Sequence, residues 1–415
     1  MANMRPPLQR RALSIVRAAI AAALLAVPLT SAVSYPTPAT GDLLLHPQEP
    51  GGTESLLAQA IGDIEHQHFD TALANIDSLI KLRPNFRLAH LIRGDLLLAR
   101  SRPLTRIGDA SEAPAGRIED FREEAMARLR AYKEHPDPAL VPRYLLQMTP
   151  EQRYAIVVDT GRSRLYLYRN DGGRPEYVAD YYVTSGKFGA QKTREGDMKT
   201  PIGVYHVTSS LPAKKLPDLY GSGAFPLNYP NEWDRRMGRE GHGIWLHGTP
   251  TDTYSRPPRA SDGCVVLSNS DLNLVAQDLQ IGVTPVIISD DVQWVNAAQW
   301  TDERNAFLGQ VEAWRTDWES RNTERFLGHY SPNFKAGADS YATLLRKKRE
   351  VNNGKQWVKV ELGDVAVFRD PGRDDLMEVT FNQTYRSNNL SNVMKKRQYW
   401  VREGEQWRIV YEGAA

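Results

Sequence analysis

Leu246-His247-Gly248-Thr249, followed a short way on by Ser261-Asp262-Gly263-Cys264-Val265-Val266-Leu267, is the stretch on which the reading of this chain turns. Cys264 is the one cysteine in 415 residues. A lone cysteine forms no intrachain disulfide and no multi-cysteine zinc site, which leaves a buried filler, a regulatory thiol or a nucleophile. The glycine before it and the imidazole upstream point to the nucleophile. A thiol becomes a strong nucleophile as thiolate, so it needs a base or a lowered pKa. An activated Cys264 is therefore expected to react below the pH of an ordinary thiol.

His206, His242 and His247 are the imidazoles of this region. In an extended strand over 243–247, His242 and His247 point to opposite faces, so both serve one centre only if the strand bulges. The same geometry weighs against a zinc ion held by Cys264, His242 and His247, whose spacing matches no recognised ligand pattern. His247 is the better base, because Gly248 lets the backbone turn and bring its carbonyl to the ring. No carboxylate is evidently placed for that task, Asp252 and Asp262 being nearest in sequence. Gly263 lets a substrate carbonyl approach the main chain, and the amides of Gly263 and Cys264 are the natural oxyanion donors. No cofactor or metal is called for.

The amino terminus has the layout of a secretory signal. Arg5, Arg10, Arg11 and Arg17 make a basic start, Ala18 to Leu29 is apolar, and small residues follow around Ser31 to Ser34. The apolar run is shorter than the ~20 residues that span a bilayer. Export to a bacterial periplasm is the expectation, with membrane contact only if the signal stays uncleaved. In an oxidising compartment an unpaired thiol is a liability, which favours a chemical role for it. The formal charge of +2 turns slightly negative once those arginines are removed, and this is no footprint for nucleic acid. Arg346-Lys347-Lys348-Arg349 and Lys395-Lys396-Arg397 read as solvated faces.

Residues 1–34 are taken as the signal and 35–53 as a linker. Residues 54–150 show apolar positions at three- and four-residue steps and form a helical module. Its stretch FDTALANIDSLIKLRPNFRLAHLIRGD resembles a tetratricopeptide repeat, which suits a homodimer or a protein partner. From Tyr154 the period changes to two, and 151–292 reads as a β-rich domain. Residues 298–415 begin with a long helix over 301–328 and continue as strands at 357–368, 376–385 and 397–411. That order resembles the nuclear transport factor 2-like cone fold. The whole is a multidomain α+β chain.

The run HGT at 247–249 with SDGCVVLS at 261–268 resembles the catalytic motif of bacterial L,D-transpeptidases. Ser185-Gly186-Lys187 and Lys199-Thr200-Pro201-Ile202-Gly203 are similar to two further segments of that family. The resemblance implies Cys264 as acyl-enzyme nucleophile, His247 as general base and Gly248 as the carbonyl that orients the ring. It implies peptidoglycan stem peptides as substrate, with D-alanine released and either a 3–3 cross-link or a trimmed tripeptide formed. Ser261, Asp262, His242, Arg259 and Lys187 are candidate substrate-binding side chains. Two departures stand out: Asp262 where many members are basic, and Val266 where Arg or Asn is usual. Arg256, Arg259 and Lys187 are the candidates to compensate. The three-part layout is similar to that of cell-shape-determining L,D-carboxypeptidases. A reading from another class is an inactive wall-binding scaffold, against which intact His247, Gly263 and Cys264 count.

Overall fold

The computed structural model describes residues 51–103, 105–109 and 114–415. The stretch expected to be a signal, and the expected linker up to residue 50, lie outside the described residues. Four helices come first: α1 (Thr53–Glu65), α2 (Phe69–Leu82), α3 (Arg87–Leu98) and α4 (Ala115–Lys133). Their apolar stripes meet in a core of Leu57, Ala72, Ile76, Leu79, Phe86, Ile92 and Ala125. Tyr254, from the domain that follows, is part of the same core. The helical face is thus closed against the chain's own next domain. No described helix is long and apolar enough to cross a membrane.

The sequence pattern places the segment after α4 at the end of the helical module, but the chain uses it otherwise. Its strand β1 (Leu145–Gln147) pairs with a strand of the carboxy-terminal sheet. Three residues are too few to carry a period, so nothing in the sequence marks this strand. The central domain then lays down β2 (Tyr154–Asp159), β3 (Arg164–Asp171), β4 (Arg174–Tyr182), β5 (Gly203–His206), β6 (Gly223–Pro226), β7 (Trp245–His247), β8 (Val265–Val266), α5 (Asn269–Ala276) and β9 (Pro285–Ser289).

Two sheets result. One has the order β4-β3-β2-β9-β5, and in the other β8 lies parallel to β7, which is antiparallel to β6. Ile156, Val158, Leu165, Leu167, Leu246, Val265 and Leu267 fill the space between them. On the far side of the first sheet, Ala155, Val157, Tyr166, Tyr168 and Ile287 pack against Tyr144, Leu145 and Phe368. Both faces of β2 and β9 are covered, which accounts for their near-continuous apolar runs.

The tail starts with α6 (Ala297–Glu319) and α7 (Thr323–Leu327), followed by α8 (Tyr341–Asn353). The single long helix expected over 301–328 is broken: Arg321 takes φ +59°, and Asn322 caps the new helix by accepting from the Arg325 amide. The break lets Phe326 stack on Trp318 at 5.4 Å. Strands β10 (Val358–Arg369), β11 (Leu376–Ser387), β12 (Leu390–Glu403) and β13 (Gln406–Ala414) then form an antiparallel sheet with β1 on its edge. Register shifts at Gly363/Ala366 and Tyr399/Trp400 bend it around Trp314, Phe381 and Trp400.

Neither basic run is simply a solvated face. Lys396 pairs with Glu412 at 2.6 Å and Arg397 with Glu378 at 3.0 Å, because strand alternation sends them to opposite covered faces. Lys348 lies half-buried over the rings of Trp318 and Phe326, at 4.9 and 5.3 Å.

Candidate active site

The site is built on the parallel pair β7 and β8, in register Leu246↔Val265 and His247↔Val266. Leu246 and Val265 face the inter-sheet core, so His247 issues on the other side. The Cys264 thiol donates to the Gly243 carbonyl at 3.3 Å, two residues before β7 begins, and no hydrogen bond joins it to the ring. His247 ends the strand, two residues beyond Trp245, a step of about 7 Å along it.

His247 is buried, and its Nδ1 lies 2.7 Å from the Gly248 carbonyl. A carbonyl only accepts, so Nδ1 carries the proton and Nε2 the free lone pair. Burial pushes the ring down to about 4, the Arg256 charge adding to it and the Gly248 bond opposing. Burial pushes the Cys264 thiol up to about 11, with the Asp262 charge in the same direction and the Trp245 amide, Arg256 and Lys192 against it. That direction runs against a thiol reactive below the ordinary pH. Both shifts favour a thiol and a neutral imidazole in the resting site.

Gly248 is required for want of space. A Cβ there would lie 2.1 Å from Asn269 Oδ1. Asn269 opens α5, which Ser268 caps by accepting from the Asp271 amide. Its side chain takes the Ser222 amide at 2.8 Å and donates to the Thr249 carbonyl at 2.9 Å. Asn269 therefore fixes the turn that presents the Gly248 carbonyl. Tyr220 meets the His247 ring edge-on at 5.0 Å and also packs on Trp245. Neither Asn269 nor Tyr220 was singled out from sequence, where the cap at Ser268 was the available signal for the first.

Three separated motifs meet at buried Thr200. The Gly186 amide donates to its hydroxyl at 2.9 Å, and that hydroxyl donates to the Gly263 carbonyl at 3.0 Å. The Lys187 amide reaches the Ser261 carbonyl at 2.8 Å. Gly263 takes φ +124°, and a Cβ on it would sit 2.7 Å from the Lys199 carbonyl, so glycine is needed on both counts.

The remaining candidates fall in different places. Ser261 is buried and its hydroxyl staples the loop, accepting from the Gly263 amide at 3.1 Å and donating to the Cys264 carbonyl at 2.6 Å. The Ser261 hydroxyl, a candidate for substrate, is thus engaged inside the loop, and the Gly263 amide, expected as an oxyanion donor, already has an acceptor. Among the described residues the Cys264 amide meets no acceptor. His242 is 80% exposed and sits 3.4 Å from Glu195, apart from the buried His247. Arg259 is exposed and pairs with Glu123 of α4 at 3.2 Å. Asp262 and Lys187 are exposed.

The two-sheet domain that carries this cysteine, the backbone-oriented histidine and the three motifs matches a known catalytic-domain family. Residues 153–288 match the L,D-transpeptidase catalytic domain family YkuD, and residues 306–413 match the Cds6 C-terminal NTF2-like domain. Bd1075 of Bdellovibrio bacteriovorus is similar at 30% identity, with TM-score 0.60 over 66% of this chain and 98% of that one. The helical cell shape determining protein Pgp2 from Campylobacter jejuni shares the fold at 22% identity, with TM-score 0.56 over 65% of this chain and 95% of that one. No curated protein matches. The chain belongs to the L,D-transpeptidase catalytic-domain family and carries a C-terminal NTF2-like domain.

Proposed function

We propose that this chain is a periplasmic peptidoglycan-modifying cysteine acyltransferase, an L,D-transpeptidase acting on tetrapeptide stems through a thioester on Cys264. The observation that carries the reading is the junction at Thr200, which ties the Gly186 and Gly263 segments together beside the strand ending in His247. Nε2 of neutral His247 takes the thiol proton as sulfur attacks the carbonyl after the L-centre of diaminopimelate. The two groups close on each other when substrate displaces the thiol from Gly243, since catalytic hydrogen bonds tighten in the substrate complex. The Cys264 amide steadies the oxyanion. Collapse expels D-alanine, whose nitrogen receives the proton back from His247, and leaves the thioester. An amine then takes the acyl group to give a 3–3 cross-link.

Hydrolysis of the same thioester, an L,D-carboxypeptidase outcome, is the second reading. Buried Val266 and acidic Asp262 favour it, because neither offers a cation to seat an acceptor. The helical module and the tail contribute no bond-making step and serve association with the wall or with partners. Purified protein with reduced thiol, incubated with a tetrapeptide muropeptide and analysed by mass, tests both readings. Dimers joined through two diaminopimelates support transfer, and tripeptide with D-alanine supports trimming. Cys264→Ala is expected to abolish either product without loss of fold. No product from the reduced native protein would sink both.

A further inference from the structure

The loop between His247 and Cys264 is gripped by the helical module. Glu124 of α4 accepts from the Ser255 hydroxyl at 2.6 Å and from Arg128 at 3.0 Å. Arg128 also pairs with Glu54 of α1, and all three charged side chains are buried, with 2% of their surface exposed. The Arg128 guanidinium stacks on Tyr182 at 3.8 Å. From the other side, the Tyr182 hydroxyl and the Thr184 hydroxyl donate to the Arg256 carbonyl at 2.9 and 3.0 Å. The Tyr254 amide is held by the Asn85 carbonyl at 3.1 Å. Residues 254–256 are thus fixed from both domains.

Arg256 is what this grip presents. Its guanidinium is half-buried, donates to the Ala260 carbonyl, and forms no ion pair among the described residues. Thr184, which holds the Arg256 carbonyl, exchanges two backbone hydrogen bonds of 2.9 Å with Val266, two residues past Cys264, and Ala260, which takes the guanidinium, adjoins Ser261, so Arg256 is anchored on the Cys264 loop. A guanidinium has five N–H donors in a planar fork that matches a carboxylate, so most of its donors remain to be used. Val266, where the family usually carries a basic or amide side chain, is buried and apolar. We propose that Arg256 is the residue that receives a carboxylate of the acyl donor beside Cys264, and that the helical module positions it through Glu124 and Ser255. The assignment rests on the wall-peptide reading above. It makes Arg256 a specificity determinant and Ser255 a positioning residue.

Binding separates this from the chemistry. In the Cys264→Ala protein, a tetrapeptide stem is titrated by calorimetry beside the same stem with its carboxylates amidated. Arg256→Gln is expected to weaken the carboxylate form about tenfold or more, as for loss of a charge-assisted fork, and to leave the amidated form unchanged. Arg256→Lys should recover part of the loss. Ser255→Ala, which leaves the buried charges in place, should weaken the carboxylate form several-fold and spare the amidated one. Equal affinity of the Arg256 and Arg256→Gln proteins for the carboxylate stem would overturn the proposal, as would equal losses on both stems. If the Cys264→Ala protein binds the stem and Arg256→Gln weakens only the carboxylate form, while the native enzyme yields no product, the catalytic reading falls and the Arg256 assignment stands. Failure of the Cys264→Ala protein to bind either stem overturns both.

Discussion

Burial lowers the His247 ring and raises the half-buried Cys264 thiol, and both shifts favour the uncharged forms. A preformed thiolate–imidazolium pair would alkylate fast at neutral pH. Here iodoacetamide labelling of the free enzyme should be slow at pH 7 and still rising at about pH 9. Turnover needs the neutral imidazole, so kcat/KM is expected to fall on the acid side, as His247 takes a proton, and to stay level between about pH 6 and pH 9. A labelling plateau below pH 7 would contradict this. Gly248 is the other sensitive point. A methyl group 2.1 Å from Asn269 Oδ1 must displace the turn and with it the carbonyl on Nδ1. Gly248→Ala should cost about 100-fold in kcat, as for a misplacement on the order of 1 Å. Steady-state rates alongside a melting curve would separate that from unfolding.

At the scale of elements, legibility followed burial pattern. The β-rich domain is legible from the change of period at Tyr154, although burial on both faces makes its strands at 154–159 and 285–289 nearly continuous apolar runs. Tyr154–Asp159 pairs antiparallel with the Arg164 strand across the turn at 160–163. Cys264 and His247 were found by residue type, since their chemistry permits few substitutes. Asn269 and Tyr220 act through shape and a hydrogen bond, and such roles leave no compositional trace. The first half of β12 went unread because its basic residues look solvated until a partner carboxylate is in place. The break at Arg321 was missed because the apolar pattern runs through it, although Asn322 is a good cap.

Where the catalytic domain meets the tail, a buried acid links stability to pH. Asp370 is pushed up to about 7, chiefly by burial, with Asp234 and Glu378 adding and the Gly372 amide and Arg239 opposing. An acid whose folded pKa lies above its unfolded value near ~3.9 is bound to its proton longer in the native state. The folded protein then holds more protons than the unfolded one across that interval, and stability falls as pH rises toward 7. Asp370→Asn keeps the acceptor for the Gly372 amide and removes the charge. The variant should lose less melting temperature between pH 5 and pH 8 than the parent, and an equal loss in both would refute the assignment.

The short strand at 145–147 makes the catalytic domain an insertion. The chain enters the tail sheet at Leu145, leaves to build the two-sheet domain, and returns at Ala297 to finish the tail. The Trp300 indole closes the circuit by donating to the Leu145 carbonyl at 2.8 Å, beside the pairing of Val141 with Val295. Both ends of the inserted domain are therefore moored at one spot. A protease that nicks the exit near residue 296 would not release the tail: the two fragments would stay noncovalently joined, separating only in denaturant.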